Sequence, residues 1–270
     1  MTTQTHFIPT PIAYGKKTQA WWAVKPSGRL VVFVHGFGGS AVSTWNEFPD
    51  LLPKQSSCAG WDVVFYGYDG LFTQANISAQ GLHDFVHQMG TKPAKVINPT
   101  LNPKSRRDSK FAYSSILIVA HSLGAVVTRR ALLNARKLNR PWLNQTQMVL
   151  FAPAHMGANT IALGAEAISV IPGVGALLAA VAKFKFQPLQ DLEAGSQTLQ
   201  LLLSETQQAL QAGDAPYLVA RAVYVGDKER IVTTNSFCDD PPLMILAGKD
   251  HVDVCKPDAN YLDPVQGVVS

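Results

Sequence analysis

The chain has 270 residues, 47% hydrophobic and 16% charged, with a formal net charge of +4. That composition is ordinary for a soluble globular protein with a sizeable core, and its basic residues form no stripe dense enough for nucleic acid. Three cysteines, Cys58, Cys238 and Cys255, build no disulfide framework and point to a reducing compartment, with only a Cys238–Cys255 pair left open. Met1–His6 lacks the charged start and apolar run of a secretory signal, so a cytoplasmic location is expected.

In chain order, short apolar runs alternate with helical stretches, the pattern of a mainly parallel sheet covered on both faces. Ala20–Val24 reads as an early strand, closed by the turn Lys25-Pro26-Ser27-Gly28. Leu30–Val34 is a buried strand running into His35-Gly36-Phe37-Gly38-Gly39. Thr44–Leu52 reads as a helix with Thr44 as N-cap, Asp62–Tyr66 as a strand and Ser78–Met89 as a helix. Lys92–Lys110, rich in Pro, Asn and Lys, reads as a loop, with Lys104–Asp108 solvated. Ile116–Ala120 is a strand and Leu123–Leu138 a helix, whose basic residues from Arg129 onward are expected on an exposed face. Strands Gln147–Ala152, Ala220–Val225 and Leu243–Leu246 follow.

Residues 156–213 break this rhythm and read as an all-helical insertion in a single domain of residues 1–270. Within it Ala167–Ala182 carries no charge, but Pro172, Gly173 and Gly175 divide the run. A spanning helix needs about 20 apolar residues, so no transmembrane segment is expected and the run reads as two short helices. The insertion is expected either to layer on the sheet or to cap the functional site. Its apolar surface is a candidate for peripheral membrane contact.

The densest signal is Ala120-His121-Ser122-Leu123-Gly124 between a strand and a helix. A small residue, Ser and Gly at this spacing make a sharp turn that lifts the serine hydroxyl clear of the sheet. Glycine usually occupies both flanks, and Ala120 adds one methyl. The turn aims the next helix's N-terminus at the serine, so the Leu123 N–H is expected to face a developing oxyanion. The glycine-rich segment after Val34 offers a second donor, the Phe37 N–H. No Lys-Ser/Thr pair follows those glycines, which disfavours a phosphate loop, and His35 is expected to bond the loop backbone.

A serine nucleophile needs a base and an acid later in the chain. His251 stands where the base should be. His155 comes too soon, His83 and His87 lie on an earlier helix, and His121 is expected to leave the turn on another side. The strand ending near Val225 runs into Gly226-Asp227-Lys228-Glu229, so Glu229 is the expected acid and Asp227 the alternative. The turn after Ala152 offers no acid. The scattered histidines lack metal-ligand spacing, and no cofactor or metal is required.

Together these residues resemble the α/β-hydrolase superfamily. More narrowly they resemble serine esterases related to the GPI inositol-deacylase and to the mitochondrial serine-active-site-containing esterases. The carrying segments are Val34–Gly39, Val119–Gly124 and Asp250–Pro257. The resemblance implies an α/β-hydrolase fold, Ser122 and His251 as nucleophile and base, and hydrolysis of esters, often lipid-like. The glutamate acid of some relatives agrees with Glu229. A small-molecule or lipid ester is the expected substrate. An acyltransferase using the same triad is the alternative activity.

Overall fold

The structure, a computed structural model, describes residues 9–101, 106–169 and 186–270. Its Val-, Ile-, Leu- and Phe-rich runs make the centre of an eight-stranded sheet. The strands are β1 (Pro9–Pro11), β2 (Gln19–Trp21), β3 (Arg29–Val34), β4 (Asp62–Tyr66), β5 (Ser115–His121), β6 (Thr146–Phe151), β7 (Ala222–Gly226) and β8 (Met244–Leu246). They lie in the order β1-β2-β4-β3-β5-β6-β7-β8. β1 and β2 run antiparallel, and every pairing from β4 to β8 is parallel. The central strands are buried along nearly their whole length, which is why they read as unbroken apolar runs and not as alternation. β1 escaped the sequence reading because Pro9 and Pro11 argue against a strand; proline lacks a donor, which an edge position tolerates.

The helices are α1 (Phe48–Leu51), α2 (Ala75–Thr91), α3 (Pro93–Ile97), α4 (Leu123–Lys137), α5 (Thr160–Ser169), α6 (Gln187–Asp191), α7 (Gln197–Gln211) and α8 (Asp263–Val269). α2 packs along α4, and α7 packs on α4 from another side. Between sheet and α1, Phe33 stacks on Phe65 at 4.6 Å and meets Trp45 edge-on at 4.9 Å. No helix of the described residues is long and apolar enough to cross a membrane.

Four expectations change here. Lys92–Lys110 is not all loop: it holds α3, and Arg107 is buried, donating to Asp62 at 2.8 Å and to the Ala23 carbonyl at 2.8 Å. Tyr113 donates to the other Asp62 oxygen at 2.7 Å. Arg129 and Arg130 are buried, not on an exposed face, because the segment leading to strand β8 and the α7 helix cover α4. There Arg129 meets Asp240 at 2.5 Å and Arg130 meets Glu205 at 2.6 Å. Thr44 caps no helix: Asn46, at φ 47°, breaks the chain between a 3-10 turn and α1, and the Thr44 hydroxyl accepts from the Ser40 N–H. The insertion is not all helical, since Ala158 bridges Val232 as extended chain. The expected division of 167–182 into two helices lies largely outside the described residues. Cys58, Cys238 and Cys255 are unpaired.

Candidate active site

Ser122 sits between β5 and α4 at φ 53°, a left-handed conformation costly for any residue with a side chain. Three backbone bonds hold it there. Its N–H donates to Phe151, and its carbonyl accepts from Ala125 at 3.0 Å and Ala154 at 3.3 Å. The tight crossing also demands glycine nearby. A Cβ on Gly124 would sit 2.2 Å from the Val34 oxygen, and one on Gly36 only 2.8 Å from the Ser122 Cβ. Ala120, on β5 between β3 and β6, is fully buried, so the methyl that departs from glycine at that flank is packed inside the fold.

The loop after β3 is fixed through His35. The Tyr68 N–H donates to its Nε2 at 3.3 Å, so the proton resides on Nδ1, which donates to Gly36 at 2.9 Å. Burial holds its imidazole down at about 4, so the ring is neutral near pH 7. This loop brings Phe37 to the cleft beside Ser122. Among the described residues, neither the Phe37 nor the Leu123 amide has a hydrogen-bond partner.

His251 reaches the serine from the loop after β8. Its Nε2 lies 3.0 Å from Ser122 Oγ, and its Nδ1 lies 2.9 Å from Glu229 Oε2. Glu229 Oε1 accepts from the Ile231 and Val232 amides at 2.7 and 3.0 Å. Burial pushes the Glu229 carboxyl up. The His251 hydrogen bond and charge and the two amides outweigh that and leave it below its ordinary value. Asp227 goes elsewhere: it accepts from the Gly248 N–H at 2.7 Å and ties down the base of the His251 loop. Gly226 permits that close approach, since a Cβ there would lie 2.0 Å from the Lys249 oxygen.

Two residues at the site were not assigned to it from sequence. His121 was expected to leave the turn on another side; instead its ring centroid is 4.9 Å from that of His251, and its Nε2–H donates to the His251 carbonyl at 2.8 Å. The His251 loop folds over the end of β5, a contact across 130 residues that local pattern cannot show. Glu166, on α5 one turn beyond Leu163, lines the cleft, and burial raises its carboxyl. The cleft holds about 780 Å³ including its open mouth. Phe37, Leu163 and Val252 give the cleft apolar surface, Thr44 and Lys256 add polar atoms, and Phe37 is backed edge-on by Phe186 at 5.8 Å. His83 and His155 are buried away from the cleft. Among the described residues no cluster of His, Cys, Asp and Glu could hold a metal ion.

A family model for the alpha/beta hydrolase family matches residues 31–266, and the chain belongs to that family. Among solved structures, the mature form of the Bacillus licheniformis lipase BlEst2 is 14% identical, with a TM-score of 0.54 and 100% of both chains covered. The 2-hydroxy-6-oxo-6-phenylhexa-2,4-dienoate hydrolase of Rhodococcus sp. strain RHA1 is 15% identical, with a TM-score of 0.51 and 98% of both chains covered. The peroxisomal alpha-beta-hydrolase Lpx1 of Saccharomyces cerevisiae is 13% identical, with a TM-score of 0.50, covering 100% of this chain and 85% of that one. At such identities the likeness is one of fold. No curated protein matches, and the narrower resemblance to the GPI inositol-deacylase gains no support from these comparisons.

Proposed function

We propose that this chain is a serine hydrolase of carboxylic esters, an esterase or lipase in kind. The observation that carries the reading is the unbroken line from Glu229 through His251 to Ser122, with bonds of 2.9 and 3.0 Å, ending on the strained turn. In this reading Ser122 Oγ attacks the ester carbonyl while His251 Nε2 takes its proton. Glu229 holds the His251 tautomer and stabilises the imidazolium. The Phe37 and Leu123 amides receive the oxyanion, each donor being worth about 3–4 kcal/mol in the transition state. His251 then gives its proton to the leaving alcohol, and a water molecule, activated in the same way, releases the acid.

The insertion acts as a cap, since α5 contributes Leu163 and Glu166 to the cleft wall. The apolar side chains of Phe37, Leu163 and Val252 that line the cleft fit an apolar acyl chain. Turnover of a p-nitrophenyl ester series is the test. Hydrolysis is expected, with octanoate preferred to acetate. Ser122→Ala is expected to lower kcat by at least about 10⁴-fold while the protein still folds. A preference for acetate contradicts the apolar acyl site, and turnover by Ser122→Ala contradicts the nucleophile.

A further inference from the structure

The loop that carries His251 is bonded mostly to itself and to the end of β7. Asp227 accepts from Gly248, Lys228 donates to the Lys249 carbonyl, and the Asp250 carboxylate accepts from Val252 and Asp253. Those bonds fix the loop's base and its internal turn, but none of them reaches the strand that presents Ser122. Apart from the His251–Ser122 bond, the hydrogen bond from His121 Nε2–H to the His251 carbonyl is the one tie between this loop and β5 among the described residues. We propose that His121 is a positioning residue, whose Nε2–H holds the His251 main chain and thereby sets the distance from His251 to Ser122. The proposal rests on Ser122 and His251 being nucleophile and base.

Three features suit His121 to this role. It immediately precedes Ser122, so the tie starts at the nucleophile's own turn. Its ring is hemmed in, with Nδ1 only 3.1 Å from where a Cβ on Gly36 would lie. A carbonyl can only accept, so the proton is on Nε2, and burial keeps the ring neutral, down at about 3. A neutral neighbour adds no charge repulsion when His251 becomes an imidazolium.

His121→Leu removes the donor at similar bulk, whereas His121→Gln places an amide N–H near the former Nε2. Each is compared with the wild type in kcat and KM on a p-nitrophenyl ester, and in the rate of labelling by a fluorophosphonate, which needs an activated serine but no turnover. In His121→Leu, kcat and labelling rate are expected to fall together by about 10–100-fold, with KM changed by less than about 3-fold, because a misplaced base costs the chemical step. His121→Gln should recover most of that loss. A purely structural role would lower Tm but leave the labelling of folded protein unchanged. Labelling of His121→Leu at the wild-type rate, or no recovery by His121→Gln, overturns the proposal. Should His121→Leu not fold, His121→Asn, whose shorter amide falls short of the carbonyl, must be slower than His121→Gln, and the reverse order overturns it. A wild type that neither labels nor hydrolyses esters overturns the reading of the site itself, and this proposal with it.

Discussion

Asp227 and Glu229 are two residues apart, yet only the second reaches His251. β7 ends at Gly226, and the chain turns so that Asp227 holds the Gly248 amide while Glu229 is carried under the imidazole. Glu229→Gln is expected to lower kcat by about 10⁴-fold, because an amide facing Nδ1 favours the wrong tautomer. Asp227→Asn keeps an acceptor for Gly248 and should change kcat only a few-fold; the opposite order of the two variants contradicts the assignment. Burial opposes the ionised Glu229, but the His251 bond and charge and the amides at Ile231 and Val232 win and lower its pKa. A lowered carboxylate pKa stabilises the fold above the unfolded value, about 4.3, and that contribution is lost as pH falls through the folded value. The stability margin of wild type over Glu229→Gln, read from urea midpoints, should therefore shrink below about pH 4.3. Ser122 was legible in the sequence because its strand, turn and helix are contiguous, and His251 because chain order singles it out. The two acids stayed unresolved because a two-residue offset depends on how the turn closes. His121 and Glu166 were missed because each joins the site through a contact remote in sequence.

At the scale of elements, two crossings hold the strands in place, one beside the site and one at the far end of the sheet. α4 starts so close to β3 that Gly124 has no room for a Cβ, 2.2 Å from the Val34 oxygen. Gly124→Ala is expected to destabilise by about 1–3 kcal/mol or more through overpacking, seen as a lower urea midpoint. A stability equal to wild type would show that β3 and α4 separate easily. The second crossing is the buried Asp62, held by Arg107, Tyr113 and the Ala23 amide. Arg107→Ala leaves that carboxylate short of its cation, and loss of one partner of a buried pair costs about 3–5 kcal/mol. A cost below about 1 kcal/mol would mean that the pair behaves like a surface ion pair. These elements also show the limit of sequence reading. β3, β5 and β6 were legible because burial along both faces leaves an unbroken apolar run. Arg107 and Arg129 were not, because a charge that ends in a buried pair looks in sequence like any solvated charge.

For the molecule as a whole, buried histidines make stability depend on pH. Burial lowers His35 to about 4 and His121 to about 3, and burial with the Arg129 charge holds His155 well below its ordinary value. In the unfolded chain each titrates near 6.5. Histidines with lowered pKa stabilise the fold fully above that value and progressively less as pH falls toward their folded values. Unfolding at pH 5 should thus take up about three protons through these residues, and almost none at pH 8. Proton uptake from the pH dependence of the urea midpoint checks this, and a flat profile between pH 8 and 5 contradicts it. The central claim is that Ser122, activated by His251, takes the acyl group. The most direct test is acid-quenched mass spectrometry of the protein turning over a p-nitrophenyl ester. The expected result is an acyl mass on the peptide containing Ser122, absent in Ser122→Ala. Steady turnover with no adduct on that peptide, or an adduct that persists in Ser122→Ala, would contradict it.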